Sequence, residues 1–355
     1  MIIGNVNLGI YIINRLFAII PTLFGISLIS FVLINVAPGG PVEQALQKLK
    51  YSAESTSSNN SSLNSQNIEN TVTSEVIESL KRQYGYDKPV LTRYFIWLKN
   101  LVTLDFGESF THHRPVWDLI IEKFPVSLMF GLTSFMLTYL ISIPLGLLKA
   151  LWNGSRFDVV TSFLIFLTYA IPSFIFAILL IVIFGPGNLD WFPIQGLVSE
   201  NYDDLSAWNK LTDRLSHAFL PLLCYTIGDF AALTVLTKNS ILEEVNKDYV
   251  RTARAKGLEQ NAAILKHALR NALMPIATGL GSLLGVFFAG ALLLETIFNL
   301  DGIGLLSYNA VLSRDFNVIM GLLMLQSIAA LLGNLLSDII YVIIDPRVNY
   351  SNMES

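Results

Sequence analysis

PVSLMFGLTSFMLTYLISIPLGLL, residues Pro125–Leu148, runs for 24 residues without one charged side chain. At about 1.5 Å of rise per helical residue such a run crosses the ~30 Å hydrocarbon layer of a bilayer. Five more runs read the same way: Leu16–Ala37, Val159–Gly185, Leu215–Thr237, Ala272–Leu294 and Val318–Ile344. His217 and Asp229 lie in the run that starts at Leu215, and Asp338 lies in the last. Backbone N–H and C=O groups find no water in hydrocarbon, so a spanning segment is a helix or part of a closed barrel. Barrel strands alternate over about ten residues, and no such pattern occurs here. The expected fold is all-α, a polytopic membrane protein with six transmembrane helices.

Composition agrees. Hydrophobic residues make up 53% of the 355 and charged residues 14%, against roughly 25% charged in soluble domains. Mean hydropathy is +0.55. A net charge of -4 speaks against a nucleic-acid surface. One cysteine, Cys224, permits no internal disulfide and no cysteine-built metal site. The first run is too long for the core of a secretory signal, and no Ala-x-Ala pattern follows it before Pro38, so it is expected to stay as a span.

Lysine and arginine in short loops set orientation. The stretch Lys238–Arg270 holds seven of them, and Lys149 and Arg156 flank another short loop, while the stretch from Glu295 to Asn317 has Arg314 alone. The basic loops are therefore expected in the cytoplasm, with both termini. The expected organisation is an N-terminus and first span at 1–37, an external (periplasmic) segment at 38–124, a transmembrane core at 125–344 with a cytoplasmic loop at 241–271, and a cytoplasmic tail at 345–355. Within the external segment, Ala37-Pro-Gly-Gly-Pro41 ends a helix and Val42–Lys50 is helix-compatible. The Ser/Asn-rich residues 52–65 lack the apolar surface to offset ordering and are expected to be mobile. Helical patterning resumes from Ser74 and runs to the turn at Asp105–Ser109, as a small external cap. Such a cap either only ties the first two spans together, or it meets a substrate-delivering partner or gates the pore.

Ile241–Ala272 is the most informative stretch. Val245, Tyr249 and Ala253, then Ile264, Leu265, Ala268, Leu269 and Leu273, recur at helical spacing, so two amphipathic helices are expected with a turn at Gly257. A surface helix held by lipid headgroups fits that pattern. The residues Asp248-Tyr-Val-Arg-Thr-Ala-Arg-Ala-Lys-Gly257-Leu also resemble the cytoplasmic coupling motif of ABC importer permeases, in the form typical of dipeptide and oligopeptide permeases. Tyr86-Asp-Lys-Pro-Val, Asp105-Phe-Gly-Glu-Ser, Asp301-Gly-Ile-Gly-Leu, Arg314-Asp315 and Asp345-Pro-Arg347 are similar to the same family. Ala37-Pro-Gly-Gly-Pro-Val42, Asn153–Asp158 and Thr237-Lys-Asn-Ser240 look most like its microcin C and oligopeptide importer subgroup. Two departures stand out: Arg251-Thr252-Ala253 replaces the generic Glu-Ala-Ala, and Pro275 lies a few residues farther from Gly257 than usual.

The resemblance implies the architecture of an ABC type I importer permease, forming half of the translocation path for oligopeptides or peptide-like compounds such as microcin C. It implies ATPase coupling through Tyr249, Val250, Arg251, Ala253, Arg254, Ala255, Lys256 and Gly257. The implied partners are a second, similar permease, two ATP-binding subunits or one fused ATPase, an external solute-binding protein, and the lipid of the inner membrane. ATP and Mg would be bound by the ATPase partners, with no cofactor on this chain.

The residues themselves offer no Gly-x-x-x-x-Gly-Lys-[Ser/Thr] loop, no Gly-x-Ser-x-Gly and no His-Glu-x-x-His. His112, His113, His217 and His267 do not cluster as metal ligands. Neither an enzyme nor a metal site is expected. An ion-coupled secondary transporter is the alternative, and it needs ionisable groups near the midplane and usually inverted repeats. Asp229 alone sits well within a span, where it either lines the substrate path and favours a cationic peptide amine or is held by a polar group of a neighbouring permease. Gly281-x-x-x-Gly285 suggests close helix packing, and Pro144, Pro172, Pro221 and Pro275 suggest bends.

Overall fold

The computed structural model describes residues 8–36, 78, 82, 87–282 and 290–344. The expected helix at 42–50, the Ser/Asn-rich loop, most of the helical stretch from Ser74 to Tyr86, Gly285 and the tail 345–355 lie outside the described residues. The helices, in chain order, are α1 (Leu8–Val36), α2 (Val90–Val102), α3 (Val116–Leu151), α4 (Arg156–Ala170), α5 (Ser173–Phe184), α6 (Ala207–Val245), α7 (Asp248–Ala255), α8 (Gln260–Ala263), α9 (Leu269–Ala272), α10 (Met274–Thr278), α11 (Leu292–Ile297), α12 (Ile303–Leu312) and α13 (Phe316–Ile344). Among the described residues there is no β-strand, only one isolated bridge between Glu108 and Pro115. The all-α membrane fold expected from the apolar runs is the fold observed.

The count of straight spans differs from six. Among the described residues, four helices are long and apolar enough to cross a bilayer: α1, α3, α6 and α13. The run Val159–Gly185 is a broken pair, α4 and α5, bent by 99°. The cause is Pro172, which lacks an N–H and holds Ile171 in an extended conformation (φ -95°, ψ 118°). The run Ala272–Leu294 is not one helix in its described part. It passes through α9, the short α10 and a 3₁₀ turn at Gly279–Ser282, then resumes beyond residue 289 at Gly290 (φ +58°).

Two compact units can be distinguished. The larger comprises residues 1–17, 123–306 and 328–355. One of its cores is built from Phe130 of α3, Ala177 and Leu180 of α5, Leu220 and Cys224 of α6, and Leu294, Phe298 and Leu300. Asp338 of α13 accepts from Tyr11 Oη and Arg15 Nε of α1, each at 3.0 Å, so this ionisable group in the last span is paired. Gly281 lies so close to Gly333 and Ser337 of α13 that a Cβ would strike their backbone. That is the small-residue contact expected from the glycine spacing.

The smaller unit comprises residues 18–122 and 307–327. Phe31 of α1, Tyr94 of α2 and Met320 of α13 form its core, with Ser27 Oγ and Tyr94 Oη hydrogen-bonded at 2.8 Å. Two segments far apart in the sequence meet here. Buried Asp315 accepts from Ser109 Oγ and from Thr111 N–H (3.1 Å), and Asn317 Nδ2 donates to Glu108 O (2.8 Å). Gly107 has φ +77°, and a Cβ there would meet Asn317 Nδ2 at 3.0 Å. The Asp105–Ser109 and Arg314-Asp315 motifs are thus two sides of one contact.

Candidate functional site

Residues 241–272 form a helical elbow. After α6 ends, Asp248 and Arg254 stand in the first and last turns of α7, where each complements the helix dipole. Its C-terminus closes by a Schellman motif: Leu258 N–H donates to Ala253 O (3.2 Å) and Gly257 N–H to Arg254 O (2.9 Å). Gly257 takes φ +95°, a left-handed conformation that costs a residue with a Cβ roughly 1–2 kcal/mol. No atom lies within 4 Å of where that Cβ would stand, so the glycine is required by the backbone and not by crowding within the chain.

The elbow has a buried and an open side. Val250 is fully buried, in one cluster with Ala150 of α3, Ile241 of α6, and Ala263, Ile264, Ala268 and Ala272 from the second arm. Leu258, just past the glycine, joins this cluster. Tyr249 braces the bend, donating its hydroxyl to Glu244 and accepting from Asn271 Nδ2 at 3.1 Å. Burial and the Glu244 hydrogen bond push its phenol up to about 12, so it stays protonated at neutral pH. Lys247 is held above the ordinary lysine range by its ion pair with Glu244. Arg251, Arg254, Ala255, Lys256 and Gly257 are exposed, and Ala253 is half-buried. Of the eight residues singled out from the sequence, Tyr249 and Val250 anchor the elbow, and the other six form or border its open face.

The second arm is a continuous helical path containing one widened π turn at Ile264–Ala268. No signal in the sequence pointed to it. Both expected amphipathic arms are present, though the first is an eight-residue helix.

A buried charge network lies near the elbow. Asp158 accepts from Lys238 Nζ (2.7 Å) and is 3.1 Å from Lys149 Nζ, with side-chain exposures of 7%, 16% and 1% for Asp158, Lys238 and Lys149. Lys149 Nζ also donates to Asp158 O, Thr161 Oγ1 and Ser162 Oγ. Both lysines flank loops whose charge set the expected orientation, and nothing in their spacing announced that they share one carboxylate.

Asp229 sits in α6 beside a cavity of about 420 Å³. Its wall includes Ser134, Thr138 and Tyr139 on one stripe of α3 and Asp229, Leu233 and Leu236 on one stripe of α6, both at helical spacing. Asp229 is exposed, and no described residue donates a hydrogen bond to its carboxylate.

The sequence reading missed Glu295. It is completely buried, accepting from Ser127 Oγ (2.8 Å), Tyr225 Oη (3.1 Å) and Ala291 N–H (3.3 Å) on one oxygen and from Leu305 N–H (3.0 Å) on the other. Gly302 and Gly304 of the Asp301-Gly-Ile-Gly-Leu motif lie against this carboxylate, where a Cβ would clash. The legible signal was a single acid in the apolar stretch Ala291–Phe298. The four histidines do not gather, and among the described residues no group of His, Cys, Asp and Glu is arranged to hold a metal ion.

Comparison with known proteins places this geometry. Residues 142–350 match the family described as binding-protein-dependent transport system inner membrane component. The chain is 44% identical over 361 residues to the inner membrane ABC transporter permease protein YejB of Escherichia coli, covering 97% of this chain and 99% of that protein. It is 44% identical over 367 residues to the peptidoglycan transport system permease protein YejB of Agrobacterium fabrum, covering 98% and 100% of the two. Against the oligopeptide transport system permease protein AppB of Bacillus subtilis the identity is 35% over 341 residues, covering 96% and 99%.

Proposed function

The chain belongs to the family of binding-protein-dependent inner membrane transport components, as an ABC importer permease without an ATPase site of its own, and from that premise we propose that it forms half of a peptide path driven through its elbow. The relatives' own names favour ABC permeases over the ion-coupled carrier weighed as an alternative. The substrates are oligopeptides or peptide-like compounds of the microcin C kind, in keeping with the peptidoglycan and oligopeptide systems named for the relatives. A second permease completes the path, two ATP-binding subunits or one fused ATPase carry ATP and Mg, and a solute-binding protein docks outside. Both termini and the elbow face the cytoplasm, residues 38–124 and their cap face outward, and 345–355 form a cytoplasmic tail.

The single observation that carries the coupling role is the two-sided build of α7. Val250 and Tyr249 lock it to the ends of α3, α6 and α9, while Arg251, Arg254, Ala255 and Lys256 face outward. A lever needs both properties: a rigid root, so that displacement is passed on rather than absorbed, and an open face with small and cationic side chains that seats in another protein's groove. ATP binding closes the ATPases, the seated helix moves with them, and the buried root carries that movement into the spans. Asp229 then lines the substrate path.

Substitution at Gly257 tests this. Gly257→Asn tolerates the left-handed backbone and adds a side chain on the open face, while Gly257→Val also strains the turn. Both are expected to reduce ATPase co-purification and ATP-driven peptide uptake in proteoliposomes. Unchanged association and unchanged uptake for both variants would remove the coupling assignment.

A further inference from the structure

Asp229 raises a question that path lining alone leaves unanswered, because an ionised carboxylate at the depth of a membrane span is costly unless it is paired or hydrated. Other interior acids among the described residues are paired: Asp158 with Lys149 and Lys238, Asp315 with Ser109 and Thr111, Asp338 with Tyr11 and Arg15, and Glu295 with two hydroxyls and two amides. Asp229 receives no hydrogen bond from a described residue and stands at the wall of the α3–α6 cavity.

The rest of that wall is rich in acceptors. Tyr139 Oη donates to Ile276 O (3.1 Å) and Ser134 Oγ to Gly131 O (3.0 Å). Those hydroxyls have given their protons to main-chain carbonyls and keep oxygen lone pairs for an occupant. Phe135 and Tyr139 stack with ring centroids 4.4 Å apart, adding an aromatic surface whose face attracts cations. Gly279 belongs to the same wall, and a Cβ there would fall 2.7 Å from Tyr139 Oη, so the absence of a side chain keeps the tyrosine where it is. A carboxylate, hydroxyl lone pairs and an aromatic face, with no lysine or arginine among the described residues of the wall, complement a group that carries a positive charge and several N–H donors.

We propose that the Asp229 cavity is a subsite for a primary ammonium group of the translocated substrate, with the adjoining apolar stem lying against Phe135 and Tyr139. Its volume of about 420 Å³ leaves room for an ammonium group and its adjoining stem. This rests on the peptide-permease reading and adds a chemical preference inside the path, separate from selection by the external binding protein. The α-amine of a peptide and the ω-amine of a lysine-like residue offer the same chemistry, and the experiment separates them.

The complex of this chain with its permease, ATPase and binding-protein partners is reconstituted in proteoliposomes with four peptides of one length. They are free or acetylated at the N-terminus, and carry lysine or its uncharged analogue norleucine at one inner position. Binding-protein affinity is measured for each and divided out. Asp229→Asn is expected to lower uptake of the ammonium-bearing peptides about tenfold relative to the peptide that carries none, the size of one charge-assisted hydrogen bond. Asp229→Glu is expected to restore much of it. Sensitivity that follows the free N-terminus assigns the site to α-amines, and sensitivity that follows lysine assigns it to ω-amines. Equal loss for all four peptides, with the complex still co-purifying, overturns the subsite and makes Asp229 a packing or subunit contact, and so does no loss for any. If the unsubstituted complex takes up none of the four on addition of ATP, the peptide reading itself fails and the subsite falls with it.

Discussion

Replacing Asp158 with leucine strips buried Lys149 and half-buried Lys238 of their shared counter-ion. Lys238 Nζ then keeps no acceptor among the described residues, while Lys149 Nζ retains Thr161 Oγ1 and Ser162 Oγ at 2.8 Å and the backbone oxygen of position 158 at 3.0 Å. Gly154 N–H also loses the carboxylate oxygen it donates to at 3.0 Å. Removing one member of a buried ion pair costs about 3–5 kcal/mol, because the remaining charge stays desolvated. Asp158→Leu belongs at the top of that range, and Asp158→Asn, whose amide oxygen still accepts from Lys238, below it. Purified complex is heated in detergent and the fraction surviving is followed by size-exclusion chromatography. At roughly 2 °C per kcal/mol, the leucine variant should lose about 10 °C in apparent midpoint. Adding Lys238→Met to Asp158→Leu should return about half of the loss, since it removes one of the two uncompensated charges. A midpoint within about 1 °C of the parent, or a double variant worse than the single, would refute the idea that these charges are buried and mutually dependent.

Two further outcomes follow from the geometry. Glu295→Ala leaves two hydroxyls and two amides without their acceptor, at about 1–3 kcal/mol each; the yield of assembled complex on fluorescence-detected size exclusion should collapse, with Glu295→Gln retaining part of it. Among helical glycines, Gly146→Ala should reduce thermal survival sharply, since its Cβ would fall 2.6 Å from Thr237 Cβ and 2.9 Å from Thr234 O. Gly228→Ala, with nothing within 4 Å, should be neutral or slightly stabilising by helix propensity, and equal losses for the two would contradict the packing of α3 on α6.

The elbow was legible because its cues are local. Tyr249 and Ala253 recur at helical spacing within α7, Val245 instead closes α6, and Gly257 stands where a left-handed residue ends α7. The two faces of α7 were not separable in advance, as Val250 and Arg251 are neighbours in an amphipathic pattern and only the cluster around Ile241 and Ala268 decides which is buried. Asp229 was conspicuous as an acid in an apolar run. Its cavity was not, because that required knowing that the 131–139 stripe of α3 faces the 229–236 stripe of α6. Glu295 went unremarked because the acid falls near the end of an apolar run, and its burial depends on Ser127, Tyr225 and Leu305 converging from distant parts of the chain.

By itself the sequence determined the solvent, the helical class and the elbow. Hydrocarbon tolerates only backbone that satisfies its own hydrogen bonds, and an uncharged run of sufficient length meets that demand without reference to any other part of the chain. Tertiary structure decided where runs break and which charges are stored inside. The 99° bend between α4 and α5 and the shared carboxylates of Asp158 and Glu295 depend on packing between segments remote in sequence. The energy of a buried charge is set by the partners that reach it in space, a quantity that no local pattern encodes.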